Sequence, residues 1–195
     1  VKYTGNSTAG ATIGHNLGVK PELFFIKELS AARDWIAWCN EDNTKLGYLN
    51  HTDAFDSSRY SWALNSTQPT STTITFSNNA ATNGSGSYIA YCFTSISGYS
   101  KVGTYSGTAS ANSITTGFEP GFIMIKRTDT TGTWVIMDSA RGMGSNAYAL
   151  FPNVNSLQSN GWNTAFTATG FTISSTEAWI NASGGTYIYL AIKEN

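Results

Sequence analysis

Charge is scarce in this chain. Asp, Glu, Lys and Arg make up 12% of its 195 residues, half the usual share of roughly 25%. Lys and Arg number 11 against 12 for Asp and Glu, so neither sign is in excess to hold nucleic acid or a membrane surface electrostatically. Cysteine is scarcer still, with only Cys39 and Cys92, which excludes a disulfide framework. The pair reads as two buried thiols in strands, with one bridge as the alternative. His15 and His51 stand apart from each other and from both cysteines at any ligand spacing, so no metal site is expected. The acidic run Glu41-Asp42-Asn43 is too short for the oxygen cage that calcium needs. No apolar run approaches the ~18 residues of a membrane span, and no signal peptide is read. The chain opens on Val1 inside a motif, as a fragment or processed product does.

In place of charge the chain carries Ser, Thr, Asn and Gly. Disorder with those residues would lack aromatics, yet Phe, Trp and Tyr make up 13% and need burial or a ligand to cover them. A folded chain with a hydroxyl and amide surface is the expectation.

Its organisation is repetitive. Pro21 and Pro120, Lys27 and Lys126, Trp35 and Trp134, and Tyr88 and Tyr187 each lie 99 residues apart. Trp62 and Trp162 are 100 apart, and "YTG" at 3–5 returns as "YSG" at 105–107. "TNGSGSYIAYCF" at 82–93 lines up with "NASGGTYIYLAI" at 181–192. The spacing predicts an internal duplication of about 99 residues, with modules at 1–98 and 99–195 joined near Ser97–Val102. Two separate sandwiches and one pseudo-twofold body both fit.

Strands are expected at 23–27, 35–39, 45–49, 72–76 and 88–93, and again at 122–126, 134–137, 147–151, 171–174 and 187–192. These runs are short, rich in aromatic or β-branched residues, and bounded by turn formers. No stretch shows a 3.6-residue apolar stripe. "LFFIK", "FIMIK", "YIAYCF" and "YIYLAI" are apolar on both faces, as central strands covered on both sides would be. "TITF" and "FTIS" alternate as half-exposed strands do. The fold class is all-β, an antiparallel β-sandwich of jelly-roll type.

Residues shared by both modules are most simply explained by architecture. On that ground Trp35, Trp134, Trp62, Trp162, Tyr88 and Tyr187 read as packing residues, and Pro21 and Pro120 as entries to the first central strand. Aromatics present once are better ligand candidates. Trp179 leads, since the 99-residue offset places Ala80 opposite it, followed by Tyr60 beside Arg59.

Catalytic patterns are missing. No pair of carboxylates is spaced for glycoside hydrolysis; Glu28 with Asp34, and Glu177 with Asp138, read equally well as solvated turn residues. "GMGSN" lacks nucleophile-elbow spacing, and "DSARG" reads as a structural Asp138–Arg141 ion pair. No catalytic residue, metal or cofactor is expected.

The segments "HNLGVKPELFFIK…DWIAW", "SGYSKVGTYSG", "TGFEPGFIMIKRT…TWVIMDSARG" and "NASGGTYIYLAI" together resemble a β-rich domain of unknown function found in bacteriophage virion and tail proteins. The resemblance implies a structural or adhesive virion module in a tail fibre, tail tip or capsid-surface appendage. Its partners would be other virion proteins, copies of itself and a host-surface polysaccharide, with no nucleic acid and no membrane insertion. A secreted carbohydrate-binding module is the alternative reading, and a polysaccharide depolymerase a third.

Overall fold

The computed structural model describes residues 1–194 and is all-β with antiparallel sheets. By contact density the chain divides into two compact units. One comprises Val1–Asn50 and Phe55–Thr94, and the other His51–Ala54 with the chain from Ser95 onward.

The first unit holds β1 (Lys2–Thr4), β2 (Thr12–Gly14), β3 (Leu23–Glu28), β4 (Ile36–Cys39), β5 (Leu46–Tyr48), β6 (Thr73–Thr75) and β7 (Ser87–Phe93), with short helices α1 (Ser58–Leu64) and α2 (Ala80–Asn83). Its larger sheet runs β1-β7-β3-β4-β5, and β2 pairs with β6 in a second sheet. Period-two alternation turns Phe24, Ile26, Ile36, Trp38, Tyr88 and Ala90 to one side of the larger sheet. There they meet Ile74 of β6 and Tyr60, Ala63 and Leu64 of α1 in a single core.

The second unit holds β8 (Ser100–Ser106), β9 (Asn112–Thr115), β10 (Pro120–Arg127), β11 (Trp134–Asp138), β12 (Thr164–Thr167), β13 (Gly170–Ile173), β14 (Thr186–Lys193) and helix α3 (Ala178–Asn181). The order β11-β10-β14-β8 forms one sheet and β12-β13-β9 the other. Ile123, Ile125, Val135, Met137, Tyr187 and Tyr189 of the first sheet pack against Ile114, Phe171 and Ile173 of the second. The path β1-β7-β3-β4 in one unit and β8-β14-β10-β11 in the other is the same.

The expected central strands occupy sheet interiors, but β7 is covered unevenly. Tyr88 and Ala90 are buried while Tyr91, on the other face beside the Trp35 ring, is 46% exposed. The expected strand at 147–151 does not form. Only the single bridges Ile136↔Leu150 and Ala149↔Ser159 mark it, since Pro152 has no N–H with which to extend a ladder. Helix α1 was not expected. Its buried residues Tyr60, Ala63 and Leu64 have helical spacing, but seven residues are fewer than an amphipathic pattern needs to stand out. Asn65 closes it in the left-handed conformation at φ 52°.

One buried polar network recurs in both units. Tyr3 stacks on Tyr88 at 5.1 Å, and Tyr105 on Tyr187 at 4.9 Å. Tyr88 Oη donates to Ala80 O (2.7 Å) and accepts from Gly84 N (2.8 Å); Tyr187 Oη donates to Ala178 O (2.7 Å) and accepts from Ala182 N (2.8 Å). The Tyr3 and Tyr105 hydroxyls donate to Thr82 O and Ile180 O, each at 2.6 Å. Asn83 Oδ1 accepts from Asn6 N while its amide donates to Thr8 O and Ser77 O. Asn181 does the same with Thr108 N, Ser110 O and Ser175 O. Each buried asparagine thereby fastens two loop segments to its helix. The glycine of "YTG" and "YSG" follows from the same packing, because a Cβ on Gly5 would overlap Gly84 O and one on Gly107 would overlap Ala182 O.

Candidate functional site

The β3–β4 connection is fixed by side chains reaching back to main chain. Lys27 Nζ donates to Arg33 O at 2.7 Å, and the Trp35 N–H donates to Asn50 Oδ1 at 2.8 Å. The Asn50 amide in turn donates to Asp34 Oδ1 at 2.8 Å. Arg33 Nε pairs with the nearly buried Glu28 carboxylate at 2.7 Å. These bonds hold the connection open beside the exit of β5, the outer side of α1 and the start of α2.

Between them lies a cavity of about 590 Å³, walled by Trp35, Tyr48 and Trp62 with Lys27, Arg33, Asp34, Asn50 and Ala81. Its three aromatic residues are half-buried, so each keeps ring surface available. Trp35 is propped by Tyr91 at 6.1 Å, and Tyr48 by the Arg59 guanidinium 4.5 Å from its ring centre. Rings, an amide, a carboxylate and cations around a concave space can stack on the apolar face of a sugar and hydrogen-bond its hydroxyls. The carboxylate of this wall is Asp34, which accepts from the Asn50 amide.

The candidates singled out in the sequence fall in several places. Arg59 buttresses Tyr48 and donates to Leu46 O at 3.4 Å. Tyr60 is buried in the first core, its hydroxyl accepting from Gln68 Nε2 at 2.8 Å. Trp179 is 41% exposed in the second unit, stacked on Trp162 at 5.9 Å and edge-on to Phe151 at 5.9 Å. Of the residues shared by the two halves, Trp134, Trp162, Tyr88 and Tyr187 are buried, as are Pro21 and Pro120, whereas Trp35 and Trp62 line the cavity. Tyr48 and Asn50 went unmarked in the sequence, and Asp34 is read there only as one of a pair of turn carboxylates with Glu28. Asn50 could have been found from its distance to Trp35, as the partner that an N–H at a strand entry requires.

A smaller cavity of about 350 Å³ lies in the second unit, lined by Glu119, Ser139, Met143, Phe166 and Glu194. Ser139 Oγ donates to Glu194 Oε1 at 2.9 Å. Burial pushes the Cys39 thiol up to about 12 and Cys92 to about 11, so both are protonated and unreactive at neutral pH. Both thiols are free. Arg127 holds Asp129 through two bonds of 2.9 and 3.0 Å and draws its carboxyl below the usual range. Asp138 caps a short 3-10 turn and pairs with Arg141. Lys126 is fully buried, donates to Gly132 O at 2.7 Å and Thr52 O at 3.2 Å, and is pushed down to about 8 by desolvation. Among the described residues no three His, Cys, Asp or Glu side chains gather as a metal cage would require.

No curated protein and no solved structure is detectably similar to this chain. A family model does match it, over residues 1–195, and the chain belongs to that family, the domain of unknown function DUF7483.

Proposed function

We propose that this chain is a glycan-binding adhesive module whose ligand enters the cavity of the first unit. The observation that carries the reading is the wall itself: Trp35, Tyr48 and Trp62 facing the same space as Asp34, Asn50, Lys27 and Arg33. Sugars need both halves of such a wall, an aromatic face for their C–H surface and directional groups for their hydroxyls. The scarcity of charge supports a neutral or weakly charged polymer as partner over nucleic acid.

The setting we propose is the surface of a phage virion, where many copies turn weak individual contacts into firm attachment. Its support is the sequence resemblance together with the Ser-, Thr-, Asn- and Gly-rich composition. The shared strand path and the paired Tyr–Asn networks support reading the chain as a doubled module.

A glycan array tests the binding. The wild-type chain is expected to retain a defined set of host-surface polysaccharides, with Trp62→Ala and Asp34→Ala each weakening retention tenfold or more. Unchanged retention in both variants removes this cavity as the site. Immunogold imaging that finds the chain inside host cells and never on particles removes the virion setting, and leaves the secreted carbohydrate-binding module in its place.

A further inference from the structure

The two units place matching residues around the end where the first has its cavity. Lys126 Nζ bonds Gly132 O as Lys27 bonds Arg33 O, both at 2.7 Å. Asn153 Oδ1 accepts from Trp134 N as Asn50 Oδ1 accepts from Trp35 N, at 2.9 and 2.8 Å. Phe151 and Tyr48 each precede that asparagine by two residues. The helices α2 and α3 align through Tyr88 on Ala80 O and Tyr187 on Ala178 O, and through Asn83 and Asn181. That alignment has an offset of 98 in place of 99, so Ala81, and not Ala80 as the sequence spacing gives, stands opposite Trp179.

At this end the second unit is filled. The Trp179 indole stacks on Trp162 with the rings 25° apart and meets Phe151 edge-on at 78°. In the first unit the corresponding Trp62 and Tyr48 wall the cavity, and Ala81 lines it where the indole would be.

We infer that Ala81 is the residue that holds this site open, and that a ligand's pyranose ring takes the place the second unit gives to its own indole. The ring stacks on Trp62, turns an edge toward Tyr48 and sets its hydroxyls against Asp34, Asn50 and Lys27. The inference rests on the glycan reading for the class of ring. For the place and shape of the seat it rests on the second unit alone. Side-chain size at position 81 thereby determines which unit can receive a ligand, and one chain takes one ring at this position.

A graded series tests it: Ala81→Val, Ala81→Leu and Ala81→Trp, each titrated with free indole and with the best glycan from the array. The helix tolerates such changes, because position 81 lines open space and α3 carries a tryptophan at the matching place. The expected result is progressive weakening with side-chain volume, reaching at least tenfold in Ala81→Trp for both probes, with near-ultraviolet circular dichroism confirming the fold of each variant. If Ala81→Trp does not fold, the valine and leucine steps still give the slope. A series flat for indole, wild-type protein that takes up no indole, or glycan binding indifferent to all three changes overturns the inference. A graded response to indole with no glycan bound by any form leaves Ala81 in its role and refutes the glycan reading instead.

Discussion

The two units share a frame and differ at one end of it. In the second, Trp134 is buried at 1% exposure and Lys126 at 0%, Thr52 O accepts from both Lys126 and Gly132 N, and Trp162, Phe151 and Trp179 pack on one another. In the first, Trp35, Lys27, Trp62 and Tyr48 stand at the same posts around a cavity. A smaller exchange accompanies the large one. Asp34 gives the Asn50 amide an acceptor, whereas Thr133 at the matching place donates to Asn153 Oδ1 instead and leaves the Asn153 amide nitrogen without a partner. The difference teaches that the end of the sandwich is not needed for its integrity. The Tyr–Tyr–Asn network, which is the same in both units, ties the loops to the sheets, so the end can be filled or open.

Three perturbations test this contrast. The largest effect is expected from truncating the matched tryptophans. Trp134→Ala removes a buried side chain and should cost about 3–5 kcal/mol, whereas Trp35→Ala, half in solvent already, should cost about half as much. Chemical denaturation of each variant measures both, and equal costs would erase the distinction between a filled and an open end. Next comes the shared network. Asn83→Ala and Asn181→Ala each strip partners from buried backbone groups, at about 1–3 kcal/mol per group left unsatisfied. The two costs should agree within about 1 kcal/mol, because the bonds are the same; a wide disparity would show that the frames are not equivalent. The smallest effect concerns Lys126. The folded chain releases its proton near pH 8 and the unfolded chain near 10.5, so between those values the unfolded state holds more protons and stability rises with pH. The thermal midpoint of the wild type should therefore climb relative to Lys126→Met from pH 8 to 10.5. Parallel profiles would mean that the ammonium is not desolvated.

Much of the frame was legible in the sequence. Tyr88 and Tyr187 announce themselves by their spacing, and the central strands of the larger sheets by runs such as "LFFIK" and "YIYLAI", whereas the edge strands β1 and β8 of those sheets did not, β8 beginning inside the stretch read as the joint. The short strands β2 and β9 were not legible, since each sets a single Ile inward amid Thr, Ser and Asn. Nor were Asn83 and Asn181, two asparagines in a chain full of them, whose importance lies in joining one distant loop and one near turn to the same side chain. At the candidate site the sequence marks a difference between Ala and Trp but not its sense. A tryptophan present once draws attention to itself as a contact. The cavity lies instead beside the alanine, where a missing side chain exposes Trp62 and leaves room beside Trp35, both of which pattern alone reads as scaffold.

Cys39 and Cys92 lie on the two strands flanking β3, opposite Leu23 and Phe24 respectively. Consecutive residues of a strand face opposite ways, so the two sulfurs are divided by the thickness of the sheet and cannot meet without dismantling it. Oxidant therefore plays no part in completing the fold. Reducing agent likewise has no crosslink to break, and the sheet's order rests on packing and hydrogen bonds alone.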